Sequence, residues 1–209
     1  MHGPMRRIIV VVVLGFLALM GMSVCQASLT LRDTTGAGGI EAGSIIFLTD
    51  SAGGKTLGTF HIGGSGYFYF FNGRLRLGGG GQSSLFSSED GGYTGTIKQG
   101  GLIIGVSPIL LDRWDFPLIL CIGGGHYNIE KVTSQKGQEA FLVREGSAFF
   151  LMEALLGFEV LATGRNKLAL YIGYGIGLSG GKVVRQGLRL TFQFAFALPK
   201  KLVASRSKR

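Results

Sequence analysis

Few residue types in this chain could do chemistry, and most of those fail on spacing. Thr49-Asp-Ser-Ala-Gly-Gly-Lys55-Thr56 nearly spells a phosphate-binding loop and follows the strand-like run Ser44 to Leu48. Thr49 stands where the first glycine belongs and no helical pattern follows, so the amide cradle and helix dipole that hold a phosphate are missing. Gly173, Gly175 and Gly177 recur at period two, which suits a crowded strand face rather than a dinucleotide fingerprint. No His, Cys, Asp or Glu cluster has metal-ligand spacing, and no cofactor is expected. Cys121 lies in an apolar run and reads as a small buried hydrophobe. His126, in His126-Tyr127-Asn128-Ile129-Glu130, could serve as a general base. It needs a nucleophile beside it, and Asn128 offers none.

The remaining candidates are five charges in otherwise apolar surroundings: Arg74, Arg76, Glu153, Glu159 and Arg189. Charges removed from water must pair or stay wet. The expectation is an ionic network, with Arg74 and Arg76 on one strand, Glu153 and Glu159 on another, and Arg189 nearby. Its role is structural, and no catalytic residue is assigned. The competing expectation leaves the same five groups facing interior water without partners.

Strands must position these charges. In Gln186 to Leu198, large apolar residues occupy Leu188, Leu190, Phe192, Phe194, Phe196 and Leu198, with Arg189, Thr191, Gln193, Ala195 and Ala197 between them. Period two marks a strand with unlike faces. Asn166 to Gly180 repeats the pattern, with Leu168, Leu170, Ile172, Tyr174, Ile176 and Leu178 set against Ala169, Tyr171, Gly173, Gly175, Gly177 and Ser179. Both runs are long enough to cross a bilayer as tilted strands, which takes roughly 9 to 11 residues. Ala148 to Ala162 has helical propensity, yet as a strand it puts Glu153 and Glu159 on one face, whereas a helix would turn them about 120° apart. Tyr67, Tyr69, Phe71, Leu75 and Leu77 are read on one face and Asn72, Arg74 and Arg76 on the other. Leu102 to Leu110 and Phe116 to Ile122 alternate more mildly.

Breaks between these runs alternate short and long: Gly63 to Ser65, Gly79 to Tyr93, Asp112 to Trp114, Lys131 to Gly146, Thr163 to Arg165. A meander across a membrane has tight turns on one rim and longer loops on the other. The expected strands are about 40–49, 57–62, 66–78, 95–111, 115–130, 147–162, 166–179 and 186–198. An even count leaves both chain ends on one rim.

Met1 to Ala27 reads as a secretory signal peptide, with Arg6 and Arg7, the apolar run Ile8 to Met20, and Cys25-Gln26-Ala27 as a small-x-small cleavage site. An uncleaved anchor and a lipoprotein leader acylated at Cys25 are the competing readings. Residues 28–199 form the barrel domain and 200–209 a basic, disordered tail. The net charge of +9 comes largely from the ends, leaving 14 basic against 12 acidic residues in the body. No basic face is implied, and no nucleic-acid partner. With Cys25 removed, only Cys121 remains and no intramolecular disulfide can form.

From Glu41 to Leu198 the chain resembles the small outer-membrane β-barrel superfamily. The resemblance implies an all-β, antiparallel up-and-down transmembrane barrel of about eight strands, porin-like in class but packed inside. It also implies an outer-membrane location, lipid and lipopolysaccharide as surroundings, and the barrel assembly machinery as partner during insertion. Arg185-x-Gly187-x-x-Leu190-x-Phe192 is similar to the assembly signal of a final strand, although the chain runs on through Leu198-Pro199-Lys200. Binding, adhesion or envelope integrity would then belong to the outer loops Gly79 to Tyr93 and Lys131 to Gly146, with no ligand specified. His126 lies in a segment similar to the His-x-Ser element of outer-membrane lipid A deacylases, which implies the alternative of an acyl hydrolase. A secreted soluble β-sandwich is the third reading, and predicts a dry core between two sheets.

Overall fold

The computed structural model describes residues 34–49, 55–87, 93–133, 141–162 and 165–199. The leader 1–27 and the tail 200–209 lie outside the described residues. Eight antiparallel strands follow in chain order: β1 Thr34–Thr49, β2 Lys55–Phe70, β3 Leu75–Ser87, β4 Tyr93–Leu110, β5 Trp114–Thr133, β6 Phe141–Leu161, β7 Asn166–Ser179 and β8 Lys182–Pro199. Each pairs with its neighbour in sequence, and β8 pairs back onto β1, so the sheet closes into a barrel. One closed sheet excludes the two-sheet sandwich.

The register fixes the shape. Following paired residues around the wall leads from Ala37 through Tyr67, Gly78, Ile103, Cys121, Glu153, Gly175 and Gly187 back to β1 at Phe47, ten residues along. That stagger tilts the strands by roughly 40° to the barrel axis. It is also an even number, so inward positions meet inward positions at the seam. An odd return would have joined an inner face to an outer one.

Side chains obey the alternation. On β8, Leu188, Phe194, Phe196 and Leu198 face outward and are exposed, while Arg189, Thr191, Gln193, Ala195 and Ala197 are buried. On β6, Phe150, Met152 and Leu156 face outward, and Phe149, Leu151, Glu153, Leu155 and Glu159 are buried. Outward Leu102, Val106, Leu118 and Leu120 keep the expected phase on β4 and β5.

The expected second and third strands are corrected. Gly63 to Ser65 is not a break: it lies inside β2, paired to Glu41, Ile40 and Gly39 on one side and to Gln82, Gly81 and Gly80 on the other. The turn falls at residues 71–74, where Phe71, Asn72 and Gly73 take φ of 50°, 58° and 90°. Three consecutive left-handed residues tightly reverse the chain, and Asn72-Gly73 supplies the two types that adopt that region most readily. The turn also breaks the phase. Tyr67 is buried and Tyr69 half-buried inside the barrel, whereas Leu77 is exposed outside. The expected outer loops shrink as well, because residues 79–87 belong to β3, Tyr93 to β4, 131–133 to β5 and 141–146 to β6. What remains of them, 88–92 and 134–140, lies outside the described residues. The long-and-short alternation of breaks was therefore partly an effect of glycine-rich strand being read as loop.

The first and last described residues, Thr34 and Pro199, pair at one rim. Closure can be tested at the seam. Ile40 and Phe194 are register partners on the outward face, with Cβ atoms about 5 Å apart. Ile40→Cys with Phe194→Cys, in a Cys121→Ser background, should cross-link on oxidation within one chain, read as a faster-migrating denatured band. A sheet open between β1 and β8 would leave the two thiols free.

Candidate functional site

The interior is filled in layers, and β6 shows their order. Its inward residues run from the terminal rim as Leu161, Glu159, Gly157, Leu155, Glu153, Leu151 and Phe149. Leu161 packs with Ala197 and Leu110 near that rim. Leu155 packs with Ile103, Ile119, Ala169 and Tyr171 at mid-height. Leu151 and Phe149 join Ile45, Phe86, Ile97 and Ile129 toward the opposite rim. Each glutamate stands between two of these apolar layers and organises a buried ionic cluster.

The cluster nearer the chain ends centres on Glu159. Arg76 donates to it at 2.6 Å and Lys167 at 2.7 Å, and the Tyr171 hydroxyl donates as well. Arg76 also reaches Asp115, and donates to Ser107 Oγ at 3.0 Å, which donates to Asp115 at 2.9 Å. Lys167 Nζ donates to the Tyr69 hydroxyl at 2.9 Å and to that of Tyr67. The Arg76 guanidinium and the Lys167 ammonium lie 5.0 and 4.7 Å from the Tyr67 ring centre, close enough for cation–π attraction. Six strands, β2 to β7, contribute to this one cluster.

The second cluster centres on Glu153. Arg189 donates to it at 2.7 Å and to Glu41 at 3.0 Å, with its Nε donating to Thr191 at 2.7 Å. Arg185 lies 3.6 Å from Glu153 and donates to Gln99, whose amide donates back to Glu153 at 3.1 Å. His61 Nε2 is 3.1 Å from Thr191 Oγ1. Among the described residues, the buried interior therefore carries four cations, Arg76, Lys167, Arg185 and Arg189, and four carboxylates, Glu41, Asp115, Glu153 and Glu159. The charges balance inside a low-dielectric wall, which is what makes their burial tolerable.

Missing side chains make room for the long ones. A Cβ at Gly105 would stand 2.5 Å from Cγ of Arg76, and one at Gly175 would stand 2.6 Å from Cγ of Glu153. Between the clusters lies a cavity of about 50 Å³ lined by Glu41, Tyr67, Gln99, Cys121, Glu153 and Arg189 among others. It has room for a few waters but for no solute.

Of the five expected charges, Arg76, Glu153, Glu159 and Arg189 are buried and paired, as Arg76 with Glu159 and Arg189 with Glu153. Arg74 is the exception. It lies in the β2–β3 turn and is exposed, because residues 71–74, read as continuous strand in the sequence, reverse the chain instead. The other half of the network went unread: Glu41, Asp115, Lys167, Arg185 and the tyrosines. Glu41, Asp115, Lys167 and Arg185 share the inward phase of their strands, as Glu41 does with Gly43 and Ile45, and Lys167 with Ala169 and Tyr171, so extending each alternation to its ends finds them, whereas the phase break at the 71–74 turn hides Tyr67 and Tyr69. His126 is exposed on the outward wall beside Asn128. It has no hydrogen bond or ion pair among the described residues, so nothing there activates it as a base. Among the described residues, no three His, Cys, Asp or Glu side chains converge as metal ligands would.

These features define a closed eight-stranded antiparallel barrel with a solid ionic interior. The fold is that of small outer-membrane barrels of known structure. Neisserial surface protein A overlaps it with a TM-score of 0.57 at 9% identity, covering 77% of this chain and 96% of that one. Ail, the attachment invasion locus protein of Yersinia pestis, gives 0.45 at 15% identity over 78% and 99% of the two chains. The N-terminal β-barrel domain of Pseudomonas aeruginosa OprF gives 0.46 at 15% over 78% and 98%. No family model and no curated protein sequence matches the chain.

The network makes a sharp contrast between two neighbouring arginines. Arg76→Ala or Glu159→Gln leaves a buried charge without its partner and should cost roughly 3–5 kcal/mol. Arg74→Ala should stay within about 0.5 kcal/mol of the parent. Urea unfolding of the detergent-folded barrel, followed by gel mobility, reads both, and equal effects at 74 and 76 would refute the inward placement.

Proposed function

We propose that the protein is an integral outer-membrane β-barrel, non-enzymatic and closed to solutes, acting through its lipid-facing wall and outer rim in surface binding, adhesion or envelope integrity. One observation carries this reading: every strand exposes large apolar side chains outward. Examples are Ile40 on β1, Phe60 and Phe68 on β2, Leu85 on β3, Leu102 on β4, Leu118 on β5, Leu156 on β6, Ile172 on β7 and Phe196 on β8. A monomeric soluble protein does not present an apolar belt all the way round while burying its charges. In hydrocarbon the arrangement is the favourable one.

The leader 1–27 would carry the chain across the inner membrane, and the barrel assembly machinery would insert it using the β8 signal. The rim of Thr34 and Pro199 then faces the periplasm, and the rim bearing Gly180–Gly181 faces outside. The packed interior layers among the described residues support an interior closed to a porin-type channel. Lipid and lipopolysaccharide are then the immediate surroundings of the wall.

Leu156 lies on the outward face of β6 beside Leu155 of the mid-height layer and is about half exposed. Leu156→Arg should weaken folding into lipid vesicles by about 2–4 kcal/mol, read as loss of the heat-modifiable gel band. The parent protein in vesicles should leave sugar permeability at the level of empty vesicles. Partition of the wild-type chain into the soluble periplasmic fraction would overturn the membrane reading.

A further inference from the structure

On β4 and β5 the outward wall changes its chemistry toward the outer rim. On β4 the apolar run ends at Leu102, followed toward the outer rim by Gly100 and then Lys98. On β5 it ends at Ile122, followed by Gly124 and then His126 and Asn128. Lys98 and His126 are register partners, so their Cβ atoms stand about 5 Å apart. All three polar side chains are exposed on the outward face. The His126 ring and the Asn128 amide lean over Gly146 of β6, which has no side chain to displace them: a Cβ there would lie 3.3 Å from His126 Cε1 and 2.6 Å from Asn128 Oδ1.

Lys98 makes no ion pair or hydrogen bond among the described residues, and neither does His126. The carboxylate nearest along this face, Glu130, stands four residues beyond His126 toward the strand end and already has an interaction of its own. A lysine placed without a counterion at the edge of an apolar belt is costly unless the surroundings supply an anion. Directly on the membrane-centre side of the pair, Gly64, Gly81, Gly100 and Gly124 form one register row across four strands. All four occupy outward positions, so the wall there is bare backbone.

We propose that Lys98 and His126, with Asn128, form a binding site for the phosphate of a phosphorylated glycolipid of the outer leaflet. The headgroup phosphate sits between the lysine ammonium and the imidazole N–H, and the Asn128 amide contacts the adjoining sugar. The first carbons of the acyl chains lie over the glycine floor, which lets them approach the wall more closely than the apolar belt elsewhere allows. The proposal rests on the outer-membrane reading above, because it requires this rim to face lipid. It gives His126 a role in holding lipid, not in cutting it.

The test uses the full-length mature barrel, folded in detergent and mixed with bisphosphorylated lipid A, with the same lipid after enzymatic dephosphorylation, or with inorganic phosphate. Retained lipid is counted by native mass spectrometry. The wild type should retain the phosphorylated form at least about tenfold better than the dephosphorylated one, and Lys98→Ala with His126→Ala should abolish that preference. Lys98→Gln with His126→Gln should do the same, and Lys182→Ala, at the β7–β8 turn, should not. Excess inorganic phosphate should leave the lipid bound, since it lacks the acyl contacts. Unchanged retention in both double variants, equal binding of the dephosphorylated lipid, or displacement by free phosphate would each overturn the site. Heat-modifiable mobility is read on every sample. A folded barrel that binds without the preference sinks only this proposal, whereas a chain that never folds in detergent or membrane sinks the outer-membrane reading itself.

Discussion

Closure of the backbone ladder is the constraint on which everything else depends. An open eight-stranded sheet would leave two rows of unpaired N–H and C=O groups, each a template for pairing with another chain. Pairing β8 to β1 removes both rows. It also imposes a parity rule, since the register must return after an even number of residues for the inner face to stay inner around the whole circuit. The return from Ala37 to Phe47 satisfies it. Once closed at that stagger, the barrel has a fixed and narrow bore, and the choice of inward side chains is a problem of filling a set volume.

That volume is filled by two chemistries in alternation. Apolar layers near each rim and at mid-height exclude bulk water, which raises the cost of any unpaired charge between them. The two ionic clusters answer with equal numbers of opposite charges and with tyrosine, serine and glutamine groups that take up further donors and acceptors, although Arg76 Nε and Asp115 Oδ1 are left without a hydrogen-bond partner. Glycine recurs where the long side chains pass: Arg76 lies across Gly105 and Glu153 across Gly175. The chain's high glycine content thus follows from the same volume limit as its buried arginines.

Much of this was legible in the sequence, and the misses have one cause. Where large and small residues alternate over a full strand, as on β6, β7 and β8, phase and burial could be read directly, and Glu153, Glu159 and Arg189 were placed inside. Where glycine fills both faces, alternation vanishes. Gly63-Gly64-Ser65-Gly66 and Gly78 to Gly81 carry no hydropathy contrast, so β2 was cut short, the turn was missed, and Arg74 was paired in phase with Arg76. The turn chemistry of Asn72-Gly73 was present but outweighed by the apparent continuity of Tyr67, Tyr69, Leu75 and Leu77. Pairing across the barrel, such as Arg76 with Asp115 or Arg189 with Glu41, depends on register among non-adjacent strands, which no local pattern encodes.

A purely apolar interior would pack as well and, by area alone, be no less stable, since buried ion pairs rarely exceed hydrophobic replacements. Its strands, however, would be apolar on both faces, and nothing would decide which face turned inward. Charges on the inner face remove that degeneracy. Slipping β8 by one residue would turn Arg185 and Arg189 outward among exposed apolar side chains and away from Glu153, while burying Leu188 and Leu190 in their place. The same slip on β6 would strip both glutamates of their partners at once. Because the eight strands share two clusters, an error in one strand leaves unpaired charge in several others. The ionic layers therefore act less as a source of stability than as the element that makes one register, and one inside, far better than any neighbouring arrangement.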